Sequence, residues 1–271
     1  MRLSVVIPVR NEQAVIALTV RQLHARLVAE SIPHEFLVVE DHSTDGTPTV
    51  LESLAAEIPE LRWIRNTDRP GYGYAVRTGL AAFSGDAVCI VMADASDDPK
   101  DVVAYYRKLG EGYECVFGSR FIPGAQVVNY PWRKLILNRA ANLLINLLFG
   151  LRYNDTTNAF KCFRREVVEG IQPIVSRHFN LTVELPLKAI VRGYSYAVVP
   201  TDWHGRTLGE SKLRIQEMGS RYLFVILHVL LEKWLTQGDY RRFPAREETT
   251  MSPAETPSAA PDVISASRGD L

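Results

Sequence analysis

The chain has 271 residues, enough to bury a full core, and its apolar (46%) and charged (23%) fractions are those of an ordinary globular protein. Its 31 basic and 31 acidic side chains cancel, which excludes a global basic field for nucleic acid and leaves phosphate recognition to local Arg and Lys clusters. Cys89, Cys115 and Cys162 are widely spaced in apolar runs without zinc-site spacing, so they read as reduced core thiols of a cytosolic protein.

The first half alternates strand and helix signals. Residues 3–9 read as a strand, and apolar spacing at Val15, Leu18, Val20, Leu23 and Leu27 predicts a helix over 12–29. Strands at 36–39, 61–65 and 87–93 are interleaved with helices at 48–57 and 74–83, and Pro99 starts another helix after the fourth strand. That alternation predicts an α/β fold with a largely parallel central sheet and right-handed crossovers. The second half is less regular. It carries a strand at 115–121, a helix at 132–149, an extended run at 156–163, a helix at 181–191, a strand at 194–200 and a last helix at 215–235. No secretory leader is read at the start, and no stretch reaches the ~18 uncharged apolar residues of a spanning helix. From Pro244 onward Pro, Ser, Ala, Thr and Glu dominate, which predicts a disordered tail.

Chemistry concentrates where strands end. Val91-Met92-Ala93-Asp94-Ala95-Ser96-Asp97-Asp98-Pro99 places three carboxylates just past an apolar strand, where open α/β sheets bind ligands. Such carboxylates repel unless a cation lies between them, and oxygen ligands suit Mg²⁺ or Mn²⁺, so Asp94, Asp97 and Asp98 are the candidate metal ligands. The plainer alternative is a solvated turn with Asp98 as a helix cap. Asp41 projects at the same edge, where an acidic residue can accept hydrogen bonds from a ribose or base, and Glu12 follows the first strand. Asp45 is explained by capping alone. A dinucleotide-binding sheet would carry a Gly-rich turn after its first strand. Pro8-Val9-Arg10-Asn11-Glu12 excludes that class.

Val5-Val6-Ile7-Pro8-Val9-Arg10-Asn11-Glu12, Val38-Val39-Glu40-Asp41-His42-Ser43-Thr44-Asp45-Gly46-Thr47, Gly118-Ser119-Arg120-Phe121 and Gly209-Glu210-Ser211-Lys212-Leu213 resemble family 2 glycosyltransferases, over about residues 1–235. The likeness is strongest to the polyprenyl-phosphate (dolichyl-phosphate) mannosyltransferase group. The resemblance implies a single-domain nucleotide-diphosphosugar transferase (GT-A, Rossmann-like) fold over 1–240, with a nucleotide-sugar half at 1–122 and an acceptor half at 123–240. A tail at 241–271 follows. It also implies inverting transfer of a hexose, mannose or glucose, from a GDP- or UDP-linked donor to a polyprenyl phosphate. By position Pro8, Arg10, Glu12, Val39 and Asp41 match nucleotide-binding residues, with Arg10 where the family often has tyrosine. Arg120, Arg206 and Lys212 match groups that contact the donor diphosphate or the acceptor phosphate, and Asp94, which reaches an Asp position of the family only by a one-residue shift that loses the second Asp, is the candidate catalytic carboxylate beside them. The chain departs from the family's Asp-any-Asp motif: aligned on Pro99, Ala93 and Ala95 occupy the two Asp positions.

The acceptor half carries further expectations. Glycines beside Arg120 and between Arg206 and Lys212 let backbone close in, and guanidinium groups suit phosphate oxygens. Tyr130-Pro131-Trp132-Arg133-Lys134 opens a helix whose Asn138, Asn142 and Asn146 make one polar stripe against a wide apolar arc. It reads equally as a core helix or as one lying in a membrane interface, with Arg133 on the acceptor side. Glu184 is either a general base at the acceptor or a capping group; an ionised phosphate acceptor needs no base. The expected location is peripheral on the cytoplasmic face of a membrane, held there by the surface itself or by a membrane-anchored partner. The alternatives are transfer to a sugar or protein hydroxyl, and a sugar-nucleotide-binding protein without turnover.

Overall fold

The computed structural model describes residues 1–204 and 215–242. Its elements are β1 (Leu3–Val9), α1 (Ile16–Ala29), β2 (His34–Glu40), α2 (Thr47–Glu57), β3 (Leu61–Arg65), α3 (Tyr72–Ala82), β4 (Ala87–Ile90), α4 (Pro99–Gly110) and β5 (Cys115–Ser119). They continue with β6 (Val127–Val128), α5 (Trp132–Phe149), β7 (Lys161–Arg164), α6 (Arg165–Gly170), α7 (Leu181–Val191), β8 (Tyr196–Pro200), β9 (Trp203–His204) and α8 (Ile215–Leu235). The predicted C-terminal tail from Pro244, with Arg206 and Lys212, lies outside the described residues.

Seven strands form one sheet in the order β3-β2-β1-β4-β7-β5-β8. β1 pairs in parallel with β2 and β4, and β5 with β8, so the expected parallel framework holds. β7 alone runs the other way, antiparallel to both β4 and β5. Burial explains why the central strands read as continuous apolar runs: every residue of β1 and β2 is covered, because helices pack on both faces. One face holds Val5, Ile7, Phe36 and Val38 against α1, α2 and α4; the other holds Val6, Leu37 and Val39 against α3, α6 and α7. All three cysteines are buried and free, as core thiols should be. A third cluster joins Ile145 and Phe149 of α5, Val183 and Leu187 of α7, and Val225 and Val229 of α8.

The strand order changes direction at β1 and β4. Chain connections leave those two neighbours toward opposite sides, which opens a crevice at their carboxyl ends.

Candidate active site

The crevice is built from loops that bind one another. After β1, Asn11 takes the left-handed conformation (φ 53°), its N–H donates to Ser43 Oγ at 3.0 Å, and Thr44 N–H donates to Asn11 Oδ1 at 2.7 Å. The Glu12 N–H donates to Thr47 Oγ1 at 3.0 Å. These bonds hold the ends of β1 and β2 in one wall, with Arg10 exposed on it and Glu12 half-buried. Pro8 and Val39, paired across β1 and β2, have buried side chains. Glu40 is spent on structure: it accepts from Ser43 N–H and pairs with Arg65 Nε at 3.0 Å. Asp41 is 4% exposed and accepts from Asn66 Nδ2 at 2.7 Å and Gly71 N–H at 2.9 Å, which fixes its carboxylate at the rim. Asp45 forms the turn into α2, accepting from Thr47 N–H at 3.0 Å, while Gly46 holds the N-cap position.

The turn after β4 orients the acidic groups. Asp94 Oδ1 accepts from Ser96 N–H (3.2 Å) and Ser96 Oγ (2.6 Å), while Asp97 Oδ2 accepts from Met92 N–H at 2.9 Å. Ala95 between them is left-handed (φ 56°), a non-glycine strain costing roughly 1–3 kcal/mol that such sites carry. Burial and the neighbouring Asp94 charge push Asp97 up to about 7. Two repelling carboxylates of this kind fit a cation. The expected set of three does not form. Asp98 instead caps α4, accepting from Lys100 N–H at 2.9 Å and pairing with Lys100 Nζ at 3.3 Å, so the capping alternative is the correct one for it. Among the described residues no three His, Cys, Asp or Glu side chains stand together as a metal cluster.

Two further expectations are corrected by burial. Arg120 does not turn its fork to open space. Its Nε and Nη2 donate to Asp155 Oδ2 and Oδ1, both at 2.8 Å, its backbone N–H reaches Oδ2 at 3.0 Å, and the pair is 9% and 0% exposed. The guanidinium is thereby a clamp between the end of β5 and residues 154–158, flanked by Phe121 and Tyr130 rings. Gly118 is required beside it: a Cβ there would stand 2.0 Å from Tyr105 Oη. Glu184 is 0% exposed, pairs with Lys188 at 2.9 Å and accepts from Val175 and Ser176 N–H at 2.8 and 2.7 Å. Despite burial, Lys188 and those donors lower its pKa, so it holds a loop as a fixed anion and is no base.

Sequence reasoning missed Asp155 and Lys161. Lys161 is fully buried, donates to the carbonyls of Thr156 (3.1 Å) and Asn158, and is lowered to about 7 by burial. The signal was present as a polar run, Asn154-Asp155-Thr156-Thr157-Asn158, set directly before a strand.

The asparagine stripe of α5 faces inward. Asn138 Nδ2 donates to Thr157 Oγ1 at 2.6 Å, and Asn142, 1% exposed, accepts from Thr156 N–H and Oγ at 2.7 Å. The helix is therefore inside-out: Ile136, Leu137, Leu143, Leu144 and Leu147 are 47–74% exposed. Arg133 is exposed at its start, stacked over Trp132 at 5.3 Å. α8 packs beside it with Leu223, Phe224, Leu227, Leu231, Trp234 and Leu235 also exposed.

The profile described as "Glycosyl transferase family 2" matches residues 4–171. The chain belongs to that family. It is a glycosyltransferase of GT-A fold, as the motifs implied. Among its relatives, the polyprenol monophosphomannose synthase of Mycolicibacterium smegmatis is 33% identical over 218 residues, 78% of this chain and 81% of that protein. The undecaprenyl-phosphate mannosyltransferase of Micrococcus luteus is 28% identical over 240 residues, 86% of this chain and 96% of that protein. Among solved structures, glucosyl-3-phosphoglycerate synthase from Mycobacterium tuberculosis, in complex with Mn²⁺, UDP-glucose and phosphoglyceric acid, has a TM-score of 0.62. It is 22% identical, with 85% of this chain and 79% of that one covered.

Proposed function

We propose that this glycosyltransferase moves a hexose, mannose or glucose, from a GDP- or UDP-linked donor to a polyprenyl phosphate, with inversion, at a membrane surface. The observation that carries the reading is the inside-out α5. A soluble acceptor gives no reason to expose that many leucines, whereas a lipid acceptor requires the site to meet a bilayer. α5 is also tied to the crevice, because Asn138 and Asn142 hold the loop that supplies Asp155 to Arg120. Arg133 at the head of α5 meets anionic headgroups or the acceptor phosphate. No helix among the described residues is long and apolar enough to cross a membrane, so contact is sideways. The two mannosyltransferase relatives support the acceptor class.

Pro8, Arg10, Glu12, Val39 and Asp41 form the nucleotide wall in this reading, with Pro8 and Val39 contributing backbone. Asp94 and Asp97 would hold a Mg²⁺ or Mn²⁺ ion, since Mg²⁺ is usually bound through one or two carboxylates plus substrate phosphate. Such an ion, when bound, neutralises charge on the departing diphosphate. Arg206 and Lys212 add to that neutralisation. A phosphate oxygen of the acceptor attacks C1 from the face opposite the diphosphate. The new C1–O bond forms as the bond to the leaving oxygen breaks, and no proton moves, because the acceptor is already ionised. A hydroxyl acceptor would need a base, and the carboxylate expected to serve, Glu184, is sealed in the core.

The test is incubation of the full chain with Mg²⁺, labelled GDP-mannose or UDP-glucose, and polyprenyl phosphate in vesicles. Label should pass into the organic phase as a product that is stable to alkali and labile to mild acid. Equal or faster transfer to soluble sugars would refute the proposal.

A further inference from the structure

Five buried side-chain polar atoms have no hydrogen-bond partner among the described residues, and three of them, Tyr72 Oη, Ser176 Oγ and Asn180 Oδ1, fall on two segments that touch. These segments are the start of α3 and residues 176–180 ahead of α7. Their contact is close: a Cβ on Gly73 would stand 2.4 Å from the Arg177 carbonyl carbon and 2.5 Å from His178 N, so only glycine admits this approach. The Tyr72 ring lies on Phe179, centroids 4.7 Å apart, and Phe179 O accepts from Tyr222 Oη at 3.4 Å. Next to it Asn180, 5% exposed, spends its Nδ2 on Arg221 O at 3.4 Å and keeps its carbonyl oxygen unused. The Tyr72 hydroxyl also lies within electrostatic reach of Asp97 and Asp94, the acidic pair of the crevice.

Leaving such groups unpaired forfeits their hydration without return, so a group of them beside an active site marks a place where a ligand completes the bonds. The donor and acceptor inventory narrows the ligand. Asn180 Oδ1 only accepts, and an ionised diphosphate has no hydrogen to give it. The Tyr72 phenol can both donate and accept. The complementary partner carries hydroxyl groups. We propose that Tyr72 and Asn180 form the subsite that receives the hexose of the donor, binding its hydroxyls on the side of the crevice that Asp94 and Asp97 line. The inference rests on the sugar-nucleotide reading above, and the residues named here set which hexose fits.

Tyr72→Phe tests it with little risk to the fold, since the lost hydroxyl has no partner to strand. Binding is measured by calorimetry with GDP, UDP, GDP-mannose, UDP-glucose and Mn²⁺ alone, and by melting. Tm should stay level or rise. Affinity for whichever sugar nucleotide the wild type binds should fall about threefold to tenfold, the worth of one neutral hydrogen bond, while the bare nucleoside diphosphate and Mn²⁺ bind as before. Monodeoxy donors give the second arm. Wild type should lose a similar factor at one ring position, and Tyr72→Phe should lose nothing further there. An equal loss for the bare nucleotide, or no loss for any ligand, overturns the proposal. If wild type binds the nucleoside diphosphates but gains nothing from an attached hexose, the subsite fails while the nucleotide site stands. If it binds none of these compounds, the proposed GDP- or UDP-linked donor falls with it.

Discussion

Asp155→Ala is the substitution whose consequence follows most directly from the geometry. Asp155 is wholly buried and takes three N–H donors from Arg120, two from the guanidinium at 2.8 Å and one from the backbone at 3.0 Å. Truncation leaves a cation that is 9% exposed without its hydrogen-bonded carboxylate, in a place where burial opposes it. Removing one partner of such a pair costs roughly 3–5 kcal/mol. At roughly 2–4 °C per kcal/mol for a domain of this size, Tm should fall by about 6–20 °C. Activity should fall further than stability explains, since the same clamp holds residues 154–158 against the end of β5. The assay is a thermal melt and a turnover measurement on Asp155→Ala, Arg120→Met and the pair Arg120→Met with Asp155→Leu. The double variant should recover much of the lost Tm, because an apolar pair of similar volume removes the desolvation cost, and it should remain poorly active. A Tm change under about 2 °C for Asp155→Ala would show that the pair is not the buried clamp described. A double variant as unstable as the sum of the singles would refute the charge-pair reasoning itself.

Asp94→Asn keeps the shape and the Ser96 contacts but removes the charge; turnover should drop about a hundredfold or more if that carboxylate helps neutralise the leaving diphosphate, and undiminished turnover in excess chelator would remove the cation from the mechanism. Leu143→Glu with Leu147→Glu, at positions 60% and 74% exposed, should release the protein from anionic vesicles without lowering Tm, and vesicle flotation equal to wild type would exclude α5 as the contact face. Glu35→Gln, at the opposite edge of the sheet, should lower Tm at neutral pH, its charge-assisted bonds contributing about 1.5–3 kcal/mol, while leaving KM unchanged. Glu35 is lowered from 4.5 to about 2, against the effect of burial, by the Ser4 hydroxyl, the Ser84 N–H and Arg62. A depressed carboxylate stabilises the fold above its unfolded pKa and loses that contribution as pH falls toward 2, so the gap between wild type and variant should close on acidification. A gap independent of pH would sink that account.

The sequence alone determined whatever depends on neighbours along the chain. Apolar runs and helical spacing placed α5, α7 and α8 at their observed bounds, and β3 as well. Motifs at strand ends located Asp41 and Asp94 on one edge, because parallel strands joined by crossovers all finish on the same side. They also carried the family. Tertiary structure decided how each charged group is used, since a partner far along the chain leaves no local periodicity. Asp155 reaches Arg120 across 35 residues and turns an expected phosphate ligand into a clamp. Glu184 pairs one helical turn away with Lys188, yet only the packing of α7 into the core makes that pair buried and removes the base. β7 enters the sheet reversed, between β4 and β5, which no alternation of helix and strand announces. The composition of α5 left core and interface equally open. The fold uses both faces of the helix: Asn138 and Asn142 turn inward as hydrogen-bond partners of the loop at residues 154–158, Ile145 and Phe149 pack with α7 and α8, and Leu143, Leu144 and Leu147 stay exposed.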